Sequence, residues 1–121
     1  MEAKGNVRLM RIFISSTDKF KHAPLYEMIV YAAKRYGLAG ATVLKGVMGF
    51  GASSKMISSV KLWDVTEKLP MVVEIIDEAD KIESFYKTIE PYFAKLRYGC
   101  LITMEDSHVI LYKSGTKLKK Q

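Results

Sequence analysis

The chain has 121 residues, 49% hydrophobic and 26% charged, with a formal net charge of +6. That is about one domain's length, with a globular composition able to bury a core. No apolar run approaches the roughly 20 residues that span a bilayer, the N-terminus lacks a secretory apolar segment, and the single cysteine, Cys100, excludes an intrachain disulfide.

These limits predict a soluble, cytoplasmic protein that is not membrane-embedded, with residues 1–121 forming a single domain. Its core spans about 7–113, and 114–121 form a basic, flexible tail. Lys113, Lys117, Lys119 and Lys120 concentrate positive charge in the last nine residues, where chain ends fray. A solvated tail therefore accounts for much of the charge, and nucleic acid is a secondary expectation. Asn6 and Gln121 are the only side-chain amides, a pattern compatible with a thermophilic source.

Val7 to Ser15 alternates, with Met10, Ile12 and Ile14 on one face and Val7, Leu9 and Phe13 on the other, which predicts a strand covered on both sides. Ser15 to Lys19 reads as a polar loop. Pro24 suits a first helical turn, and Leu25, Met28, Ile29, Ala32, Ala33 and Tyr36 give one apolar stripe. Lys34, Arg35 and Gly37 suit the helix C-terminus.

Between Gly37 and Gly51 lie five of the eight glycines. The middle, Ala41 to Met48, has β-branched Thr42, Val43 and Val47 and reads as a second strand. Its end, Gly49-Phe50-Gly51, allows close backbone approach to a ligand. A polar excursion follows, and Val60 to Trp63 resumes extended structure. Pro70 introduces Met71 to Asp77, whose run of Val72, Val73, Ile75 and Ile76 predicts a strand buried on both faces. Asp77, Glu78, Asp80 and Glu83 place negative charge at a second helix start. Its stripe is Ile82, Phe85, Tyr86, Ile89 and Phe93, with Pro91 expected to kink or divide it. Leu101 to Met104 and Val109 to Tyr112 read as closing strands.

The order β-α-β-β-α-β predicts an α+β, ferredoxin-like sandwich with an antiparallel sheet. Leu9, Phe13 and Leu111 are placed on its second face, and an apolar open face predicts a homo-oligomer. His22, His108 and Cys100 lack the spacing of convergent metal ligands, so no metal is expected. No nucleophile elbow or triad pattern is present, so an enzyme is not expected and no catalytic residue is assigned.

The residues Gly37-Leu38-Ala39-Gly40-Ala41-Thr42-Val43 and Gly49-Phe50-Gly51 make the chain similar to the P-II nitrogen-regulatory signal proteins. Lys45-Gly46, Pro24 to Glu27 and Leu69-Pro70 make it more similar to a family of short PII-like proteins of unassigned role. The resemblance covers roughly Val7 to Gly115. It implies a PII-like homotrimer binding an adenine nucleotide (AMP, ADP or ATP) in intersubunit clefts. Thr42 would face the base, Gly49, Phe50 and Gly51 would line the site, and Lys113 would come from a neighbouring subunit. With Gly46, Met48 and Arg97, these are the candidate ligand-binding residues.

Two departures from the P-II pattern stand out. Leu111 occupies the place of a phosphate-binding arginine, and the phosphate loop is shortened to Ala94 to Gly99, where Arg97 or Lys95 could substitute. The implied role is regulatory signalling through the 51–60 loop, toward an unidentified protein target such as a transporter, channel or enzyme. The alternative is an RNA-binding ferredoxin-like module, because Lys45 to Phe50 faintly resembles an RNA-recognition signature. A structural trimer of the CutA type is a third reading.

Overall fold

The computed structural model describes residues 1, 5–51, 58–59 and 68–116. Four strands form one antiparallel sheet: β1 (Val7–Ser15), β4 (Gly40–Lys45), β7 (Pro70–Glu78) and β8 (Leu101–Ser107). Its spatial order is β4-β7-β1-β8. Short ladders join β2 (Lys19–Phe20) to β3 (Ala23–Pro24), and β5 (Met48–Gly49) to β6 (Ser58–Ser59). Helices α1 (Leu25–Tyr36) and α2 (Ala79–Lys95) follow β3 and β7 and cover one sheet face.

Each helix arises from the apolar period in its sequence. α1 buries Leu25, Ile29 and Ala33, carries Glu27 in its first turn and Lys34 and Arg35 in its last, charges that oppose the helix dipole. Gly37 closes it at φ 84°, donating to the Lys34 carbonyl, while Leu38 donates to Ala33; such a left-handed cap suits glycine. Pro24 is the N-cap and the end of β3, one position ahead of the expected first turn. In α2, Ile82, Phe85 and Ile89 are buried. Pro91 lies inside this helix and does not divide it. The carbonyl left without a donor belongs to exposed Lys87, where water can satisfy it.

Met10, Ile12, Val73 and Ile75 are fully buried beneath Ile82 and Phe85. Each such side chain contributes roughly 1.5–3 kcal/mol, which makes β1 and β7 the centre of the fold. β7 departs from the expectation of burial on both faces: Met71, Val73, Ile75 and Asp77 are buried, whereas Val72, Glu74 and Ile76 are only half-buried. Within one protomer, helices cover a single side.

The uncovered face is ordered in cross-strand rows. Leu44, Val72, Phe13 and Leu101 form an apolar row, and Thr42, Glu74, Arg11 and Thr103 a polar one. Arg11 donates to Glu74 at 2.8 Å and also to Glu105. These contacts, led by the Glu74 bond, raise its guanidinium pKa. At the opposite end of β1, Arg8 joins Glu83 of α2 to Asp106 of β8.

Two expectations concerning the last part of the chain are corrected. Val109 to Tyr112 form no strand: β8 ends at Ser107, and its outer edge has no partner among the described residues. Leu111 therefore does not join the open face and stands 73% exposed. The second strand ends at Lys45 rather than Met48, since Gly46 turns against Pro70. The excursion after Gly51 and the strand expected at Val60 to Trp63 lie outside the described residues, apart from the Ser58–Ser59 pair.

Candidate functional site

A cleft of about 340 Å³ opens where β5 meets the entry of β7 and the start of β8. Gly49, Phe50 and Gly51 form one wall, Gly99, Cys100 and Leu101 the opposite one, and Pro70 lies between. Phe13 comes in from the open face of β1. Phe50 is 76% exposed, so its ring is free to stack on a flat ligand.

The glycine-rich tip is held by the strand it leans on. Gly46 donates its amide to the Pro70 carbonyl at 2.7 Å. A Cβ at Gly46 would stand 2.7 Å from the Pro70 ring, and one at Gly49 3.2 Å, so glycine there permits close packing. Gly51 differs: a Cβ there meets nothing within 4 Å. Two of the three glycines are therefore explained by packing, and the third has no packing reason among the described residues.

Pro70 is braced in turn by the loop after β1. The Ser16 amide donates to the Leu69 carbonyl at 2.8 Å, and the Leu69 amide to Ser16 Oγ at 2.9 Å. Asp18, buried at 2% exposure, accepts from the Ser15 amide at 3.0 Å. Burial raises its carboxyl pKa, against the opposing effects of that hydrogen bond and the Lys68 charge. Asp77, the other buried carboxylate, holds the strand's far end, accepting from Ala39 at 2.8 Å and from Glu78 at 2.6 Å. The acidic residues around 77–80 thus include a structural clamp as well as helix-terminal charge.

Cys100 is exposed as a residue, yet partial burial of its thiol raises its pKa, and the Asp18 charge adds to this. A thiol pushed upward is protonated near neutrality and a poor nucleophile. Among the described residues no cation lines the cleft, which gives this wall the character of a base-binding half-site.

The expected ligand residues are distributed unevenly around this space. Gly49, Phe50 and Gly51 line it, Gly46 lies behind it against Pro70, and Met48 is exposed on β5. Arg97 is exposed in the segment leading to Gly99, Lys113 is exposed beyond β8, and Thr42 stands exposed on the open sheet face. Phe13, Pro70 and the Gly99 to Leu101 wall complete the cleft and were absent from the expected set. Leu69-Pro70 and Gly99 were their available sequence signals, without any indication that they met Gly49.

For the RNA alternative, the central strands should offer stacking aromatics on the open face. β7 offers Val72, Glu74 and Ile76 there and β1 one aromatic, Phe13, while carboxylates of Glu74 and Glu105 flank Arg11. A single aromatic with carboxylates nearby is a poor RNA-stacking platform. No helix of the described residues is long and apolar enough to cross a membrane.

A four-stranded antiparallel sheet with two helices on one side is a ferredoxin-like sandwich, the fold of PII-like proteins. Solved structures share this fold. A PII-like signalling protein from Thermus thermophilus superposes with a TM-score of 0.58 at 18% identity, over 85% of this chain and 88% of that one. CPII from Thiomonas intermedia, a nitrogen regulatory PII-like protein bound to ADP, AMP and bicarbonate, gives 0.57 at 12% identity, over 84% and 89%. The divalent ion tolerance protein CutA1 from Ehrlichia chaffeensis gives 0.54 at 12% identity, over 92% and 88%.

Sequence relatives narrow the assignment. The family model DUF190, described as "Uncharacterized ACR, COG1993", matches residues 7–109. A UPF0166 protein of Aquifex aeolicus is 42% identical over 103 residues, covering 85% of this chain and 92% of the relative. One from Methanocaldococcus jannaschii is 28% identical over 90% and 94%. The chain belongs to the DUF190 family.

Proposed function

We propose that this protein is a non-catalytic, cytoplasmic PII-like regulator that binds an adenine nucleotide at the Gly49–Gly51 cleft, completed by neighbouring subunits of a homotrimer. The observation that carries this reading is the cleft itself: exposed Phe50 and the Gly99 to Leu101 segment line it together, beside an unobstructed Gly51. The fold it shares with CPII, which is bound to ADP and AMP, supports the choice of ligand.

The base stacks against Phe50, and backbone amides of Gly49 to Gly51 meet phosphate oxygens as an oriented nest would. Because the described lining holds no cation, phosphate charge is met by Arg97 and by Lys113 of a neighbouring subunit, and Thr42 contributes from the sheet. The raised thiol pKa of Cys100 favours binding over chemistry. Nucleotide binding orders the 51–60 loop and so selects a protein target, an order–disorder mode of switching. For that, the ligand must distinguish two loop states.

Calorimetric titration with AMP, ADP and ATP tests the reading. Saturable heat and a raised unfolding temperature with at least one of them are expected. No heat and no thermal shift with any of the three overturns it.

A further inference from the structure

Apart from the nucleotide cleft, α1 and α2 diverge to leave a groove of about 470 Å³, within the size range of small-molecule sites. Its floor includes Leu25, Ile29, Phe85 and Ile89, all buried. Two edge-to-face aromatic pairs flank it: Phe20 with Tyr92 at 5.8 Å, and Tyr36 with Phe85 at 5.5 Å.

The charge around this apolar trough is one-sided. Among the described residues, Lys21 and Arg35 are the only charged ones lining it, and no carboxylate does. Both are exposed, and neither makes a salt bridge among the described residues. Lys21 occupies the β2–β3 turn at φ 57° with its ammonium 5.7 Å from the Phe20 ring centroid. Arg35 lies in the last turn of α1. A guanidinium without a partner at the end of an apolar channel is a receptor for a carboxylate carried on a hydrophobic body.

We infer that the α1–α2 groove is a second ligand site, taking a hydrophobic carboxylate of the fatty-acid type. Its chain lies over Ile29, Phe85 and Ile89, and its head group pairs with Arg35 or Lys21. The site shares no residue with the nucleotide cleft and does not depend on the nucleotide reading.

The test is titration of the full chain with dodecanoate, below its micelle concentration, followed by calorimetry and amide NMR shifts, with dodecanol as the uncharged control. Dodecanoate is expected to bind, to perturb α1 and α2 resonances, and to bind more tightly than dodecanol. The combined Lys21→Glu and Arg35→Glu variant should weaken dodecanoate by at least about tenfold while leaving dodecanol unchanged. Thr88→Trp, an exposed substitution that fills the groove, should block both ligands without altering the far-UV spectrum.

The proposal falls if dodecanoate does not bind, if dodecanol binds as tightly, or if charge reversal leaves the affinity unchanged. It also falls if the shifts map elsewhere, as for a groove that receives only a peptide or another copy of the chain. AMP titration of the charge-reversed variant separates the two sites, because its nucleotide response should match that of the parent protein.

Discussion

The Gly46 amide donates to the Pro70 carbonyl at 2.7 Å, and the Pro70 ring fills the space a side chain at position 46 would need. This contact ends β4 and aims the Gly49-Phe50-Gly51 tip across the mouth of β7. Gly46→Ala therefore forces backbone and proline apart. Overpacking of this kind costs about 1–3 kcal/mol, read as a lower urea midpoint with an unchanged slope. An unchanged midpoint would mean that the turn relaxes freely and does not position the tip.

Gly51 offers the opposite test. A Cβ there meets nothing within 4 Å, so Gly51→Asp should keep stability within about 0.5 kcal/mol. Its carboxylate would face nucleotide phosphate, and like-charge juxtaposition costs enough to reduce AMP or ADP affinity by at least about tenfold. Calorimetry measures both quantities on one preparation. Undiminished affinity would move the nucleotide away from this tip.

How far the sequence could be read depended on the range of the interactions involved. The stripes Leu25–Ile29–Ala33 and Ile82–Phe85–Ile89 are periodic, and both helices formed on them. The run Val72 to Ile76 identified a strand, but apolar residues do not say whether a helix or another subunit covers each face. Only the helix-facing members are fully covered here. The packing role of Gly46 and Gly49 was not visible, because their partner, Pro70, is distant in the chain and close only after folding. The opposite cleft wall, Gly99 to Leu101, was hidden for the same reason. Val109 to Tyr112 has strand composition, yet it forms no ladder with any described strand of the protomer.

Asp18 predicts a dependence on pH. Burial raises its carboxyl pKa in the folded protein, above an unfolded value of about 3.9. The native state then retains a proton that the unfolded chain has released. Asp18's contribution to stability is fully present below the unfolded value and is lost as pH rises through the folded one. Asp18→Asn avoids this loss and keeps an acceptor for the Ser15 amide, which now bonds the carboxylate at 3.0 Å. Thermal midpoints measured between about pH 3 and pH 7 should shift in favour of Asp18→Asn with rising pH, then run parallel. A gap independent of pH would show that Asp18 ionises in the folded protein as it does in the unfolded chain.

Past the end of β8, Ile110 is 90% exposed and Leu111 73%. Phe13 and Leu101 add apolar surface on the uncovered sheet face, at 38% and 57%. Adjacent Ile110 and Leu111 form one exposed apolar patch, and Phe13 with Leu101 another; such patches mark interaction sites, and the proposed homotrimer would cover them with copies of the same chain. Sedimentation equilibrium should accordingly give three times the protomer mass. The double substitution Ile110→Asp and Leu111→Asp should release monomers at micromolar concentration. Both positions lie outside the protomer's buried core, so the far-UV spectrum should not change. Nucleotide heat should fall with the trimer, because Lys113, the cation assigned to a neighbouring subunit's cleft, follows this segment directly. A variant that stays trimeric would remove residues 110–111 from the interface, and a monomer that binds nucleotide as tightly as the parent would place the whole site within one protomer.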